Sequence, residues 1–286
     1  MKINSNYMNN ISGFFLRGQK VLNLPRNLYQ KMYYNRSLPK NHVVEDVFLV
    51  SYPKSGNTWL RFLIANALKV HYNVEQDVNF FNILDIIPSI IGDGNLRLGG
   101  SFGRTDIPRI IKSHSAYNPY YYRVILLVRD PRDVMISYYY YLKDRKQIDD
   151  KLEISEFIRH TKYGINRWTE HTKSWYYNNY GGGGGQIIKI FRYEDFLKDT
   201  HLQLSSVMDC FGIKINEKLI DEAIALSSKE KMKDSEKKHR STNIINAKIP
   251  FVRKGVASGG QELSDLDIEF IANSATDIAR ILGYDL

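Results

Sequence analysis

The chain has 286 residues, 43% of them hydrophobic and 25% charged. This ordinary globular composition excludes wholesale disorder, and the length can enclose one large core or two small ones. One cysteine, Cys210, excludes an intramolecular disulfide framework and a Cys-rich zinc site, while a formal charge of +9 leaves open a solvated basic surface or an anionic ligand.

The densest basic segment, 229–240, also carries Glu230, Asp234 and Glu236. It reads as a mixed surface helix or loop and not as a nucleic-acid arm, so no nucleic-acid partner is expected. No run approaches the roughly 18 apolar residues of a membrane helix. The short apolar patch at 11–16, closed by Arg17, is a poor secretory signal. A soluble, cytoplasmic protein without a membrane span is the expectation.

Residues 1–45 are polar, weakly patterned and rich in Asn and Tyr, and form an N-terminal lead-in expected to pack on the domain at 46–286. Val47-Phe48-Leu49-Val50-Ser51 is a short apolar run stopped by Pro53 and Gly56, and predicts a buried strand. Leu60, Leu63, Ile64, Ala67 and Leu68 then recur at helical spacing. Residues 78–108 are long and irregular, with five glycines, and such a stretch is more often functional than idle. Arg109-Ile110-Ile111-Lys112 predicts a second strand. Val124-Ile125-Leu126-Leu127-Val128 predicts a third, wholly apolar and therefore central and parallel. Asp130 as N-cap and Pro131 at the first helical position open the next helix.

One or two helices are expected over 154–177, then a five-glycine run, Gly181 to Gly185, that reads as a surface loop. Ile187-Ile188-Lys189-Ile190-Phe191 predicts a fourth strand, and helical patterns follow near 193–199, 201–211, 216–227 and 264–282. Short apolar strands alternating with helices make this an α/β chain, a single domain with a central parallel sheet flanked by helices on both faces. Ligands bind beyond the carboxyl ends of such strands. That puts the loops starting at Ser51, Lys112, Arg129 and Arg192 on one rim.

The first of these loops, Ser51-Tyr52-Pro53-Lys54-Ser55-Gly56-Asn57-Thr58-Trp59, joins strand to helix. A helix start offers free N–H groups and a partial positive charge to a phosphate. Gly56 admits close approach, Ser55, Asn57 and Thr58 add donors, and Lys54 adds a mobile charge. It is not the G-x-x-x-x-G-K-[ST] pattern, because the Lys precedes the Gly. A structural strand–helix turn is the other reading of these residues.

Tyr52-Pro53-Lys54-Ser55-Gly56-Asn57-Thr58-Trp59 resembles the Y-P-K-S-G-T-T-W loop of the PAPS-dependent sulfotransferases, departing only at Asn57. The resemblance recurs in order. Arg129-Asp130-Pro131-Arg132-Asp133-Val134 with Ser137 is similar to the family's Arg and Ser that bind the 3′-phosphate. Arg192-Tyr193-Glu194-Asp195 is similar to R-Y-E-D, whose Tyr lies beside adenine. Arg253-Lys254-Gly255 matches R-K-G at the 3′-phosphate. The resemblance implies a P-loop nucleotide-kinase-like fold, PAPS as cofactor with PAP as product, and no metal. It implies cofactor binding by Lys54, Ser55, Gly56, Asn57, Thr58, Trp59, Arg129, Ser137, Tyr193, Ser228, Arg253, Lys254 and Gly255. Taken alone, Arg129 could equally be a strand-end salt bridge, Arg132 a solvated side chain, and Glu194 and Asp195 carboxylates favoured at a helix start.

The chain also departs from the family. No Gly-Trp follows Gly255, Lys229 stands where many members pack an aromatic on adenine, and the K-x-x-x-T-V-x-x-x-E dimer motif is not visible, which leaves the oligomeric state open. Sulfuryl transfer needs a base at the acceptor and cations at the leaving group. Ile111-Lys112-Ser113-His114 is similar to the family's K-T/S-H. It implies His114 as base, with Lys112 and Lys54 stabilising the transferring group; a lone His also reads as a satisfied structural residue. The acceptor walls are expected from 78–108, 238–252, parts of 1–45 and the run Tyr138 to Tyr141, of which only one or two rings can point inward. They suit a small-molecule or carbohydrate acceptor, by hydroxyl or amine. The rival readings are a P-loop-type nucleotide kinase or NTPase and a non-catalytic polyanion binder.

Overall fold

Alternate residues of a strand face opposite sides of its sheet, and the four predicted strands divide their side chains in this way between two cores. The computed structural model describes residues 34, 38, 39, 41–90, 101–180, 186–242 and 257–286. Within them the strands are β1 (Val47–Ser51), β2 (Ile110–Ser113), β3 (Arg123–Val128) and β4 (Ile187–Arg192). All are parallel, in the order β2-β1-β3-β4. Val47, Leu49, Ile110, Ile125, Leu127 and Phe191 enter one core. Phe48, Val50, Ile111, Val124, Leu126, Val128 and Ile188 enter the other. The apolar run 124–128 is accordingly an inner strand.

The first core is closed by α1 (Asn57–His71), the one-turn α2 (Ile83–Ile86), and, later in the chain, α6 (Tyr193–Lys198), α7 (Thr200–Cys210), α8 (Glu217–Leu226) and α9 (Lys229–Thr242). The second is closed by α3 (Pro131–Asp144), α4 (Ile154–Arg159), α5 (Ile165–Tyr180) and α10 (Asp265–Ile281), with Trp168 and Trp175 fully buried in it. The expected cap forms: Asp130 accepts from the Arg132 N–H with Pro131 at the helix start. The last helix is capped by Ser264, which accepts from the Asp267 N–H. The basic segment 229–240 is helix and packs Met232 into the first core. The glycine run at 181–185 lies outside the described residues. Among the described residues no helix is long and apolar enough to cross a membrane.

Two neighbouring strands send the chain to opposite faces. After β1 it enters α1 on the first face, and after β3 it enters α3 on the second. Loops that diverge in this way leave a crevice at the carboxyl ends of the strands. The irregular stretch supplies a further edge: the Lys112 N–H donates to Pro88 O at 2.7 Å and the Ile90 N–H to Lys112 O at 2.9 Å, alongside an isolated bridge between Ser89 and Lys112.

Candidate active site

Sheet register assembles the rim. Val50 pairs with Ser113, so Ser51 and His114 emerge side by side; Val128 pairs with Arg192, so Arg129 and Tyr193 do the same. The order across the rim is therefore His114, Ser51 with its loop, Arg129, Tyr193.

At the first position His114 Nδ1 donates to Ser51 O at 2.6 Å, with Ser51 Oγ 3.4 Å away. A carbonyl oxygen only accepts, so Nδ1 carries the proton and Nε2 keeps a lone pair, the form a proton acceptor needs. Burial, then the Lys112 charge, push His114 down to about 3 against the pull of the Ser51 carbonyl. Charging an imidazole in a low-dielectric, cationic setting is unfavourable. Lys112, which pairs with Leu49 in register, is pushed down to about 7 by burial and then by the Arg61 guanidinium.

The loop after β1 turns through two left-handed residues, Lys54 at φ 70° and Gly56 at φ 97°. The second position requires glycine twice over. Its φ disfavours L side chains, and a Cβ there would meet Tyr193 ring carbons at 2.4 and 2.7 Å. Gly56 caps α1 without any side-chain cap, and the first turn holds no acidic residue. The N-terminal N–H groups of a long, almost wholly buried helix thus face the crevice. Ser55 Oγ is buried there with no hydrogen-bond partner among the described residues. An unsatisfied buried hydroxyl at an uncapped helix start fits an anion such as phosphate. Asn57 Nδ2 donates to Ser51 Oγ at 3.0 Å, so its amide also braces the residue that holds His114. Thr58 lies in the first turn of α1, half-buried. Lys54 Nζ stands 4.3 Å over the Tyr141 ring.

On the other side of the loop, Arg129 Nη1 donates to Lys54 O at 3.2 Å, its Nη2 lies 3.6 Å from Asp133, and its guanidinium stacks on Tyr193 at 4.6 Å. Trp59 meets Tyr193 edge-on at 5.9 Å. The cluster Gly56, Trp59, Arg129 and Tyr193 is therefore one contact group. Ser137 is half-buried about two turns into α3, downstream of Arg129. Ser228 opens α9, where its Oγ accepts from the Lys231 N–H at 3.3 Å. Arg253, Lys254 and Gly255 lie outside the described residues.

Several neighbours of these residues were not legible in the chain. Asp133 accepts from the Ser258 N–H at 2.9 Å and from the Ser258 hydroxyl, tying Arg129 to the last third of the chain; its i,i+4 spacing from Arg129 was the available signal. Arg132 is not solvated but forks onto Asp130, at 2.7 Å. Glu194 is more than a helix-start charge, since it accepts from the Asp130 N–H at 3.0 Å and from the Tyr284 hydroxyl at 2.8 Å. His171 on α5 is buried, is pushed down to about 4 by burial, and acts electrostatically on His114; nothing local marked it. Of the four tyrosines, Tyr139 is buried and Tyr138, Tyr140 and Tyr141 are half-buried around the second core.

Residues 44–262 match the family described as sulfotransferase domain. The chain is 28% identical over 233 residues to sulfotransferase 1E1 of Bos taurus, covering 74% of this chain and 75% of that protein. It is 26% identical over 228 residues to sulfotransferase 1C2 of Rattus norvegicus, with coverage of 74% and 75%. Among solved structures, retinol dehydratase in complex with androsterone and inactive cofactor PAP is similar with a TM-score of 0.62 at 20% identity, covering 86% of this chain and 83% of that one. Mouse sulfotransferase SULT7A1 complexed with PAP is similar with a TM-score of 0.60 at 20% identity, covering 88% and 89%. These structures share the fold.

Proposed function

The chain belongs to the sulfotransferase domain family, and from that premise we propose that it transfers a sulfuryl group from PAPS to a hydroxyl or amine of a small-molecule or carbohydrate acceptor. The observation that carries this reading is the rim itself: a base-ready His114 at one side, an uncapped helix start in the middle, and Arg129 stacked on Tyr193 at the other. PAPS, when bound, supplies the sulfuryl group and leaves as PAP.

The chain's residues divide into three tasks. Lys54, Ser55, Gly56, Asn57 and Thr58 cradle the 5′-phosphosulfate, through N–H groups, hydroxyls and one ammonium. Arg129 and Ser137 take the 3′-phosphate, joined by Arg253, Lys254 and Gly255 on the strength of their motif, while Trp59, Tyr193 and Ser228 bound the nucleoside. His114 Nε2 accepts the acceptor's proton, and Lys112 and Lys54 offset the negative charge that develops as the sulfuryl group moves. This division resembles phosphoryl transfer, in which positioning and electrostatics do most of the catalysis. The neighbours solved with androsterone and with retinol support a small organic acceptor.

Calorimetric titration with PAP, 5′-AMP and ATP tests the nucleotide half of the reading. A strong preference for PAP over both is expected, because only PAP offers Arg129 a 3′-phosphate. Tight ATP binding without preference for PAP would move the chain to the nucleotide-kinase reading.

A further inference from the structure

Arg61 is a cation in the wrong surroundings. It lies on α1 among residues that are almost all buried, is itself 7% exposed, and faces the first core. No carboxylate pairs with it among the described residues, and burial alone pulls it down to about 10, which leaves it charged at neutral pH. A buried charge without a counter-charge is costly, so its contacts are informative. Nη2 donates to Ile83 O at 2.9 Å and to Ile87 O at 2.7 Å. Ile83 opens α2 and Ile87 is its C-cap, so the two carbonyls bracket a single turn of four residues that is too short to hold itself.

The next three residues are the ones that pair with Lys112. Lys112 N–H donates to Pro88 O at 2.7 Å and Ile90 N–H to Lys112 O at 2.9 Å, on the outer edge of β2. A continuous path thus runs from the Arg61 guanidinium through α2 and its C-cap and the 88–90 edge to Lys112, with His114 two residues on. Arg61 also acts electrostatically on both Lys112 and His114.

We propose that Arg61 is a positioning residue for the transfer side of the site, holding 83–90 against β2 and thereby fixing Lys112 and His114, with no role in nucleotide binding. The inference rests on the transfer reading for its meaning and on the clamp alone for its test. The charged group that bears on Lys112 is Arg61 from α1; Lys112, His171 from α5 and Arg61 bear on His114, just beyond the end of β2.

The test uses Arg61→Met, of similar length but without charge or donors, and Arg61→Lys, which keeps the charge on a shorter side chain without the planar guanidinium. Competitive acetylation across pH, read on the Lys112 peptide by mass spectrometry, should give a wild-type midpoint near 7. In Arg61→Met it should move up by at least about half a unit, since the repulsion and part of the burial that lower it are both lost. Arg61→Lys should move it less. Amide exchange over 83–90 should accelerate about tenfold or more in both variants, while PAP affinity stays within about twofold of wild type. Unchanged Lys112 titration and unchanged exchange over 83–90 would overturn the proposal. So would a PAP loss as large as that of Arg129→Ala. If Arg61→Met does not fold, judged by its melting transition, Arg61→Lys carries the exchange test. Failure of the wild type to bind PAP would count against the sulfotransferase reading and leave the clamp result standing.

Discussion

Replacing His114 with Ala is expected to lower the rate of sulfuryl transfer by about 10²- to 10⁴-fold, the usual contribution of a positioned general base, while PAP binds as it does to the wild type. The expectation follows from the geometry at Ser51. The 2.6 Å bond to its carbonyl fixes the proton on Nδ1, and a midpoint pushed down to about 3 keeps Nε2 unprotonated throughout the neutral range. The sign of the pH dependence follows. His114 gains its proton only near pH 3, so it produces no loss of free-enzyme kcat/KM on the acid side of neutrality. Lys112, near 7, loses its charge as pH rises, so its cationic contribution fades on the alkaline side. The measurement is kcat and kcat/KM from PAP release across pH, with PAP calorimetry on the variant. An Ala variant of wild-type rate would remove His114 from the chemistry, and equal losses in rate and PAP affinity would make it structural.

Replacing Arg129 with Ala should weaken PAP binding by about 10- to 100-fold, in line with the loss of charge-assisted hydrogen bonds to a phosphate, and leave 5′-AMP affinity almost unchanged. The side chain is held by Lys54 O, by Asp133 and by the Tyr193 face, so its fork is oriented before any ligand arrives. Pre-orientation of this kind reduces the ordering cost of binding. Calorimetry with the two nucleotides separates the 3′-phosphate from the rest of the ligand. A PAP affinity unchanged by the substitution would withdraw the 3′-phosphate from Arg129.

Much of this architecture was legible because its signals are local. Four short apolar runs, a Gly-containing strand–helix turn and the Asp130-Pro131 helix start each predict their element without reference to distant residues, and each forms. The rim was legible too, since parallel strands put their carboxyl ends on one side. What the chain could not display was register. That Ser51 meets His114, and Arg129 meets Tyr193, depends on pairings such as Val50 with Ser113 and Val128 with Arg192. Arg61 was hidden for another reason: one charge in an apolar helical stripe looks like a solvated position until the helix proves buried on nearly every side. His171 reaches the site from a helix more than fifty residues downstream of His114, a proximity that only the packed second core creates.

Incubation with PAPS and a panel of phenols, alcohols, amines and sugars, followed by mass spectrometry, tests directly whether this chain moves a sulfuryl group. One or more products heavier by a sulfuryl group are expected, formed one for one with PAP and dependent on His114. PAPS left intact with every acceptor, while ATP is consumed to ADP, would rule sulfuryl transfer out.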